Sequence, residues 1–210
     1  MFVTTPGQRH RYIHDEHDGA PTDVCIAVCF KEQVRDEIDG FTLGALEHRA
    51  PVVPLTNRTA YLRHRLFASL AAGADALTFD ALAGELLAAT LARLDAPASY
   101  RPAQIAWYAR RIDAVRRRLD EELGADHTLA ALAREAAMSP YHFARVFREL
   151  TGVPPHRYLL RRRLAAAAER LRDGASVTDT CFAVGFRSLS HFITTFRRAY
   201  GVSPSRYLNK

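Results

Sequence analysis

Two groups of residues carry types and spacings that could do chemistry. Near the N-terminus, His10, His14 and His17 stand beside Asp15, Glu16 and Asp18. If residues 8–14 form a strand, His10 and His14 share a face. Two imidazoles plus a third ligand would then bind a divalent ion. A polar hairpin explains the same letters and is the preferred reading, so no metal or other cofactor is expected. The second group is arginine-rich. Residues 142–159 read HFARVFRELTGVPPHRYL and residues 191–208 read HFITTFRRAYGVSPSRYL, with ten of eighteen positions matching at a constant offset of 49. Outward arginines repeated in this way suit a polyanion. No Ser/His/Asp order, phosphate loop or HExxH is present, so the chain is not read as an enzyme.

The charge distribution agrees. From Trp107 to Lys210 there are 19 Lys+Arg against 10 Asp+Glu, whereas residues 1–106 hold 10 against 13. The basic excess lies entirely in the half that carries the repeat, which points to a polyanionic partner there. Cys25, Cys29 and Cys181 make an odd count with no CxxC pair, so all three read as small buried hydrophobes. No apolar run approaches the roughly 20 residues that span a bilayer. The N-terminus lacks the apolar core of a signal peptide. A soluble, cytoplasmic protein with no membrane partner is the expectation.

These residues need elements to hold them. Residues 24–30 (VCIAVCF) read as a strand, and residues 2–13 as one or two partners. From Arg58 to Leu94 the period becomes helical. Tyr61, Leu62, Leu66, Phe67 and Leu70 form one stripe, and Phe79, Leu82, Leu86, Leu87 and Leu91 a second, with a break at Ala72-Gly73-Ala74. The stretch DAPASYRPAQ (95–104) reads as a linker. After it come short helices: 104–123, one capped by Thr128, one started by Ser139-Pro140, a long one from about Pro155 to Arg172, one capped by Ser176 with Asp179 in capping-box position, one from Ser188 to Gly201, and a last one at Ser203-Pro204.

Each repeat copy follows another short helix. Leu129, Leu132, Ala133 and Met138 in the first, and Val177, Thr180, Cys181 and Phe186 in the second, are expected to face inward at an offset of 48; one extra residue near Arg187 lengthens the second turn. Short helix, tight turn and second helix make a helix-turn-helix. In the second helices Phe143, Val146, Phe147 and Leu150, and Phe192, Thr195, Phe196 and Ala199, are expected in the core. Tyr141, Ala144, Arg145 and Arg148 then point outward in one, and Ser190, Ile193, Thr194 and Arg197 in the other. The outward N-terminal face of such a helix enters the major groove. A helix over 155–172 spans roughly 27 Å, near the roughly 34 Å between successive major grooves. Arg157, Arg161, Arg162 and Arg163 on its surface favour nearby phosphates.

The stretches LAREAAMSPYHFARVFRELTGVPPHRYLLRRRLAAAAERL and VTDTCFAVGFRSLSHFITTFRRAYGVSPSRYL resemble the DNA-binding domain of the arabinose-regulator (AraC/XylS) family of bacterial transcription factors. The resemblance covers residues 104–210. It implies a mainly α fold: a seven-helix domain with two helix-turn-helix units, at about 128–151 and 176–200, joined by a long helix. It further implies transcription regulation, by activation or repression, with recognition helices 139–150 and 188–199 in successive major grooves of double-stranded DNA. The family's base-reading positions fall on Tyr141, Ala144 and Arg145, and on Leu189, Ser190 and Thr194. Expected phosphate contacts are Ser139, Arg148, Arg157, Arg163, Ser188, His191 and Arg197. An arginine at 145 would donate two hydrogen bonds to a guanine edge, discriminating by about 1–3 kcal/mol. The second unit departs from the pattern: Thr194 stands where many members have Arg, and Thr180-Cys181 where Ile-Ala is usual. The first unit is therefore expected to dominate specificity, and Thr180 to weaken the second core.

Members of this family often carry an N-terminal cupin-like barrel. Residues 1–98 read as a short α+β region resembling a truncated cupin plus a helical pair, serving dimerisation or regulation. RNA polymerase is the expected further partner; a homodimer through this region and a small-molecule effector stay open. Two rival readings remain: an enzyme using the His/Asp/Glu cluster, with DNA binding as accessory, and a helical protein-interaction module in which the repeat only packs.

Overall fold

The computed structural model describes residues 55–92 and 98–208. The strand at 24–30, the cupin-like region, the histidines at 10, 14 and 17, and the cysteines at 25 and 29 lie outside the described residues. The chain divides into two compact bodies between Ser99 and Tyr100. Among the described residues it is mainly helical, with no helix long and apolar enough to cross a membrane.

In the first body, α1 (Asn57–Ala71) and α2 (Ala76–Ala92) pack on each other. Thr56 caps α1 through a reciprocal box with Thr59, and Gly73 reverses the chain at φ +66°. Tyr61, Leu62 and Leu66 on α1 and Leu82, Ala83 and Leu86 on α2 are buried. Leu70 was expected in the same stripe but is 47% exposed: it sits in the last turn of α1, beside the reversal, where α2 has not yet begun. Beyond α2, Ala98 donates its N–H to the Leu55 carbonyl, and Asn57 and Ser99 exchange two hydrogen bonds.

The second body holds seven helices: α3 (Pro102–Glu121), α4 (Leu129–Glu135), α5 (Pro140–Thr151), α6 (Pro155–Arg172), α7 (Val177–Ala183), α8 (Leu189–Tyr200) and α9 (Pro204–Leu208). Helices α4 and α5 form one helix-turn-helix unit, and α7 and α8 the other. Both units pack on α6, and α3 lies across α4, α5 and α6. The repeated letters produce repeated geometry. Ser139 and Ser188 accept from the N–H groups of His142 and His191 at 3.3 and 3.4 Å. Gly152 and Gly201 end the helices at φ +78° and +76°. The rings of Phe143–Phe147 and Phe192–Phe196 both lie 5.6 Å apart, at 61° and 60°. Thr128 caps α4 as expected. Ser176 caps α7, but the Asp179 carboxylate accepts the Ser176 hydroxyl proton at 2.6 Å instead of closing the box on the backbone.

Two expected core positions are corrected. Leu129, the first residue of α4, is 44% exposed because the core begins one turn later at Leu132 and Ala133. Ala199 is exposed although its counterpart Leu150 is fully buried. Helix α3 roofs the first unit, with Ile112, Val115 and Leu119 wholly buried. The second unit is closed instead by α9 and by Tyr200 and Tyr207 around Phe196. Buried Ala136 and Val184, equivalent at the offset of 48, were not anticipated.

The two turns differ in one way that affects stability. Ala137 holds φ +54°, and its counterpart Gly185 φ +90°. A left-handed conformation costs an L-residue roughly 1–2 kcal/mol, partly offset by the extra freedom glycine has when unfolded. Ala137→Gly is expected to stabilise the protein by about 0.5–1 kcal/mol in denaturant unfolding. Gly185→Ala should destabilise by about 2 kcal/mol or more, because its Cβ would lie 2.7 Å from the Leu123 carbonyl oxygen. Equal effects of the two changes would refute this account. A second test concerns Thr180, fully buried with its hydroxyl lacking any hydrogen-bond partner. Thr180→Val keeps the shape and removes that group, and should raise stability by about 1 kcal/mol; a loss would show the hydroxyl is satisfied.

Candidate nucleic-acid interface

The two units turn dissimilar faces outward. On α5, Tyr141 is 81% exposed, Arg145 and Arg148 are exposed, and Ala144 is half-buried between them. On α8, Ser190, His191, Ile193, Thr194 and Arg197 are exposed. Leu189 is not a purely outward residue: it is half-buried and packs against the core of the second unit. The capping oxygens of Ser139 and Ser188 accept from the backbone, leaving each hydroxyl proton to be donated outward.

Arg145 is held from both sides along its helix. Its Nε lies 3.9 Å from a Glu149 carboxylate oxygen, and its Nη2 3.4 Å from His142 Nδ1. These neighbours are anchored in turn. Tyr100 donates its phenol proton to Glu149 at 2.5 Å, and Tyr108 on α3 meets His142 Nε2 at 3.1 Å. A guanidinium fixed by two neighbours loses less side-chain freedom when it binds. The α5 Arg145/Glu149 pair has a readable i, i+4 spacing; the roles of Tyr100 and Tyr108 depend on tertiary packing and were missed. In the second unit Thr194 donates its hydroxyl to the Ser190 carbonyl at 2.9 Å. It therefore offers a base only an acceptor lone pair and a methyl group. The repeated histidines also diverge: His142 is tucked against Tyr108, while His191 is exposed beside the Phe186 ring.

The arginines of α6 divide into two kinds. Arg157 and Arg161 are exposed. Arg162 pairs with Asp120 at 2.7 Å, and that carboxylate also accepts from Tyr158. Arg163, expected at a phosphate, is turned inward: its Nε donates to the Leu123 carbonyl at 2.8 Å and its Nη2 to the Ala125 carbonyl at 3.0 Å. Burial pushes its pKa down, as the first cause, and Asp126 opposes this.

A helix-turn-helix domain profile matches residues 132–210, the stretch from within α4 through α9. Residues 132–210 are a helix-turn-helix domain of the AraC type. The AraC-type domain is 42% identical over 64 residues to an HTH-type transcriptional regulator of Mycobacterium tuberculosis, a stretch that is 30% of this chain and 24% of that protein. It is 42% identical over 67 residues to the Escherichia coli transcriptional activator RhaS, 31% of this chain and 24% of RhaS. The bifunctional transcriptional activator and DNA repair enzyme Ada of Escherichia coli is 38% identical over 65 residues, 31% of this chain and 18% of Ada. The matches thus span about a quarter or less of these relatives. Among solved structures, the DNA-binding domain of AdpA in complex with a target DNA is 33% identical, covering 47% of this chain and 90% of that one, with a TM-score of 0.46.

Burial also marks the second body's alkaline limit. The phenols of Tyr100, Tyr158 and Tyr200 all have pKa values raised above the usual 10.0, with burial as the leading cause; for Tyr100 the Glu149 carboxylate adds to it. A group whose folded pKa is raised contributes stability that is complete below its unfolded value and lost as pH rises beyond it. Melting temperature should therefore decline from about pH 10 upward. Tyr100→Phe, followed by circular dichroism from about pH 8 to 11, should show a shallower decline; an unchanged slope would remove Tyr100 from this account.

Proposed function

We propose that this chain is a sequence-specific DNA-binding transcription regulator that places α5 and α8 in successive major grooves of a bipartite site. The observation that carries the reading is the contrast within the repeat. The paired phenylalanine rings, the serine cap bonds and the glycine stops of the two units coincide to within a few degrees and tenths of an ångström, while their outward faces differ. Similar scaffolds with different exposed letters suit a partner read in two places. The basic excess in this half fits a polyanion, and the relatives matched over the domain are transcription regulators.

On this reading Tyr141, Ala144 and Arg145 read bases for the first unit, and Ser190 and Thr194 for the second, with an edge contribution from Leu189. Arg145 suits the two acceptors of guanine. Thr194, its proton already donated to Ser190, suits a base-edge donor or a thymine methyl. Ser139, Arg148, Arg157, Ser188, His191 and Arg197 are the phosphate contacts. The first unit discriminates more strongly. Residues 1–98 serve regulation or dimerisation, and RNA polymerase is the partner at the promoter.

Footprinting of the purified chain on genomic fragments should reveal two half-elements about one helical turn apart. A single short protected element, or none, would sink the two-unit reading. Arg145→Ala should cost about 1–3 kcal/mol at a cognate site and relax preference at one base position. Arg197→Ala should weaken all sequences alike and reduce the salt slope by about 1.

A further inference from the structure

The loop from Leu123 to Asp126, which leads into the first unit, is also where the second unit's turn is seated. Three contacts make the seat. Arg163, rising from α6, donates to the carbonyls of Leu123 and Ala125. Gly185, in the second turn, lies so close that a Cβ there would stand 2.7 Å from the Leu123 oxygen and 2.8 Å from the Arg163 guanidinium carbon. A Cβ on Gly124 would meet the Ala183 carbonyl at 3.2 Å. On the outer rim, Arg187 pairs with Asp126. Arg187 is the additional residue that moves the repeat offset from 48 to 49, so the insertion reaches across to the first unit's loop. Neither helix of one unit packs extensively on a helix of the other; both rest on α6. Beside the packing of the second unit and α9 on α6, this seat ties the second turn to the α3–α4 loop.

We propose that Arg163 is a positioning residue that locks the second helix-turn-helix unit onto the α3–α4 loop and thereby sets the spacing of half-elements the protein accepts. The proposal rests on the two-unit DNA-binding reading above. Effective concentration connects the lock to half-element spacing. Once α5 is engaged, a rigidly mounted α8 is delivered to one register of DNA, and a loosened α8 samples several at lower local concentration. Planar guanidinium geometry suits the task, because one side chain bonds two carbonyls along a fixed fork. A phosphate-contacting arginine would instead act through counterion release, which gives the two roles different signatures.

The experiment uses the full chain and the bipartite fragment found by footprinting, with versions in which one or two base pairs are added or removed between half-elements. Dissociation constants are measured across a potassium chloride series for wild type and Arg163→Met. Wild type should bind respaced fragments much more weakly than the native one. Arg163→Met should bind the native fragment about tenfold more weakly, lose most of the penalty for respacing, and keep the wild-type salt slope. A variant that retains the respacing penalty, or whose salt slope falls by about 1, would overturn the proposal and return Arg163 to the phosphates. Should Arg163→Met fail to fold by circular dichroism, the double variant Asp126→Asn/Arg187→Gln decides, since both side chains are more than 70% exposed. It is expected to relax the respacing penalty, and full retention would overturn the proposal. Wild-type indifference to spacing would overturn this proposal together with the two-unit reading, whereas a spacing-sensitive wild type with an identical variant overturns this proposal alone.

Discussion

The second body depends on one constraint: neither helix-turn-helix unit can bury its own apolar face. Helices of seven residues such as α4 and α7 are too short to persist alone. Each gains stability only by burying apolar area against something larger. Helix α6 supplies the wall. Leu164, Ala167, Ala168 and Leu171 line the core of the second unit, together with Cys181, Val184, Phe186, Phe192 and Phe196. At its other end, Tyr158 meets the Phe147 ring of the first unit at 5.7 Å. Alanines on α6 allow close approach, with Ala167 wholly buried. The price of sharing one wall is that both units are mounted on a single rod.

That sharing also explains why the units are not equivalent. The first is roofed by α3, whose Ile112, Val115 and Leu119 complete its core. The second lacks a roof and relies on α9 and on a stack of Phe196, Tyr200 and Tyr207. Tyr200 is further tied to α6 through the Leu164 carbonyl. The same asymmetry reaches the outward faces. Because α3 crosses the first unit, Tyr108 can hold His142, which in turn contacts Arg145. On α8 the central outward residue, Thr194, bonds to its own helix instead.

What could be read in the sequence follows the range of the forces involved. Caps, stops and paired phenylalanines are local, and Thr128, Ser139, Ser176, Ser188, Gly152 and Gly201 declare them within four residues of chain. Arg187 was visible as a one-residue break in the offset. Periodicity also found the buried faces, and failed where a face depends on what covers it: Leu129, Ala199 and Leu70 fit a stripe but are left exposed. Arginine was least legible. Nothing in RRR at 161–163 says that the first is exposed, the second pairs with Asp120 and the third enters a loop. Those outcomes are set by residues about 40 positions away.

This division changes the meaning of the basic excess. Counting charges assigns every arginine of this half to a polyanion. The structure removes several: Arg116 to Asp113, Arg118 to Glu122 and Glu135, Arg162 to Asp120, and Arg163 to two carbonyls. The exposed ion pairs among them are individually weak, so they orient α3 on α4 and α6 more than they stabilise the fold. Arg163 differs because it is half-buried and its partners are two backbone oxygens of the α3–α4 loop. Arginines left facing outward include Arg145 and Arg148 on α5, Arg157 on α6 and Arg197 on α8, but also Arg117 on α3, Arg134 on α4 and Arg170 near the end of α6. Charge thus does two separable jobs in this domain: one set of guanidiniums ties its helices and loops together, and the other faces solvent, of which only the part on α5, α8 and the start of α6 lies beside the outward faces of the two units.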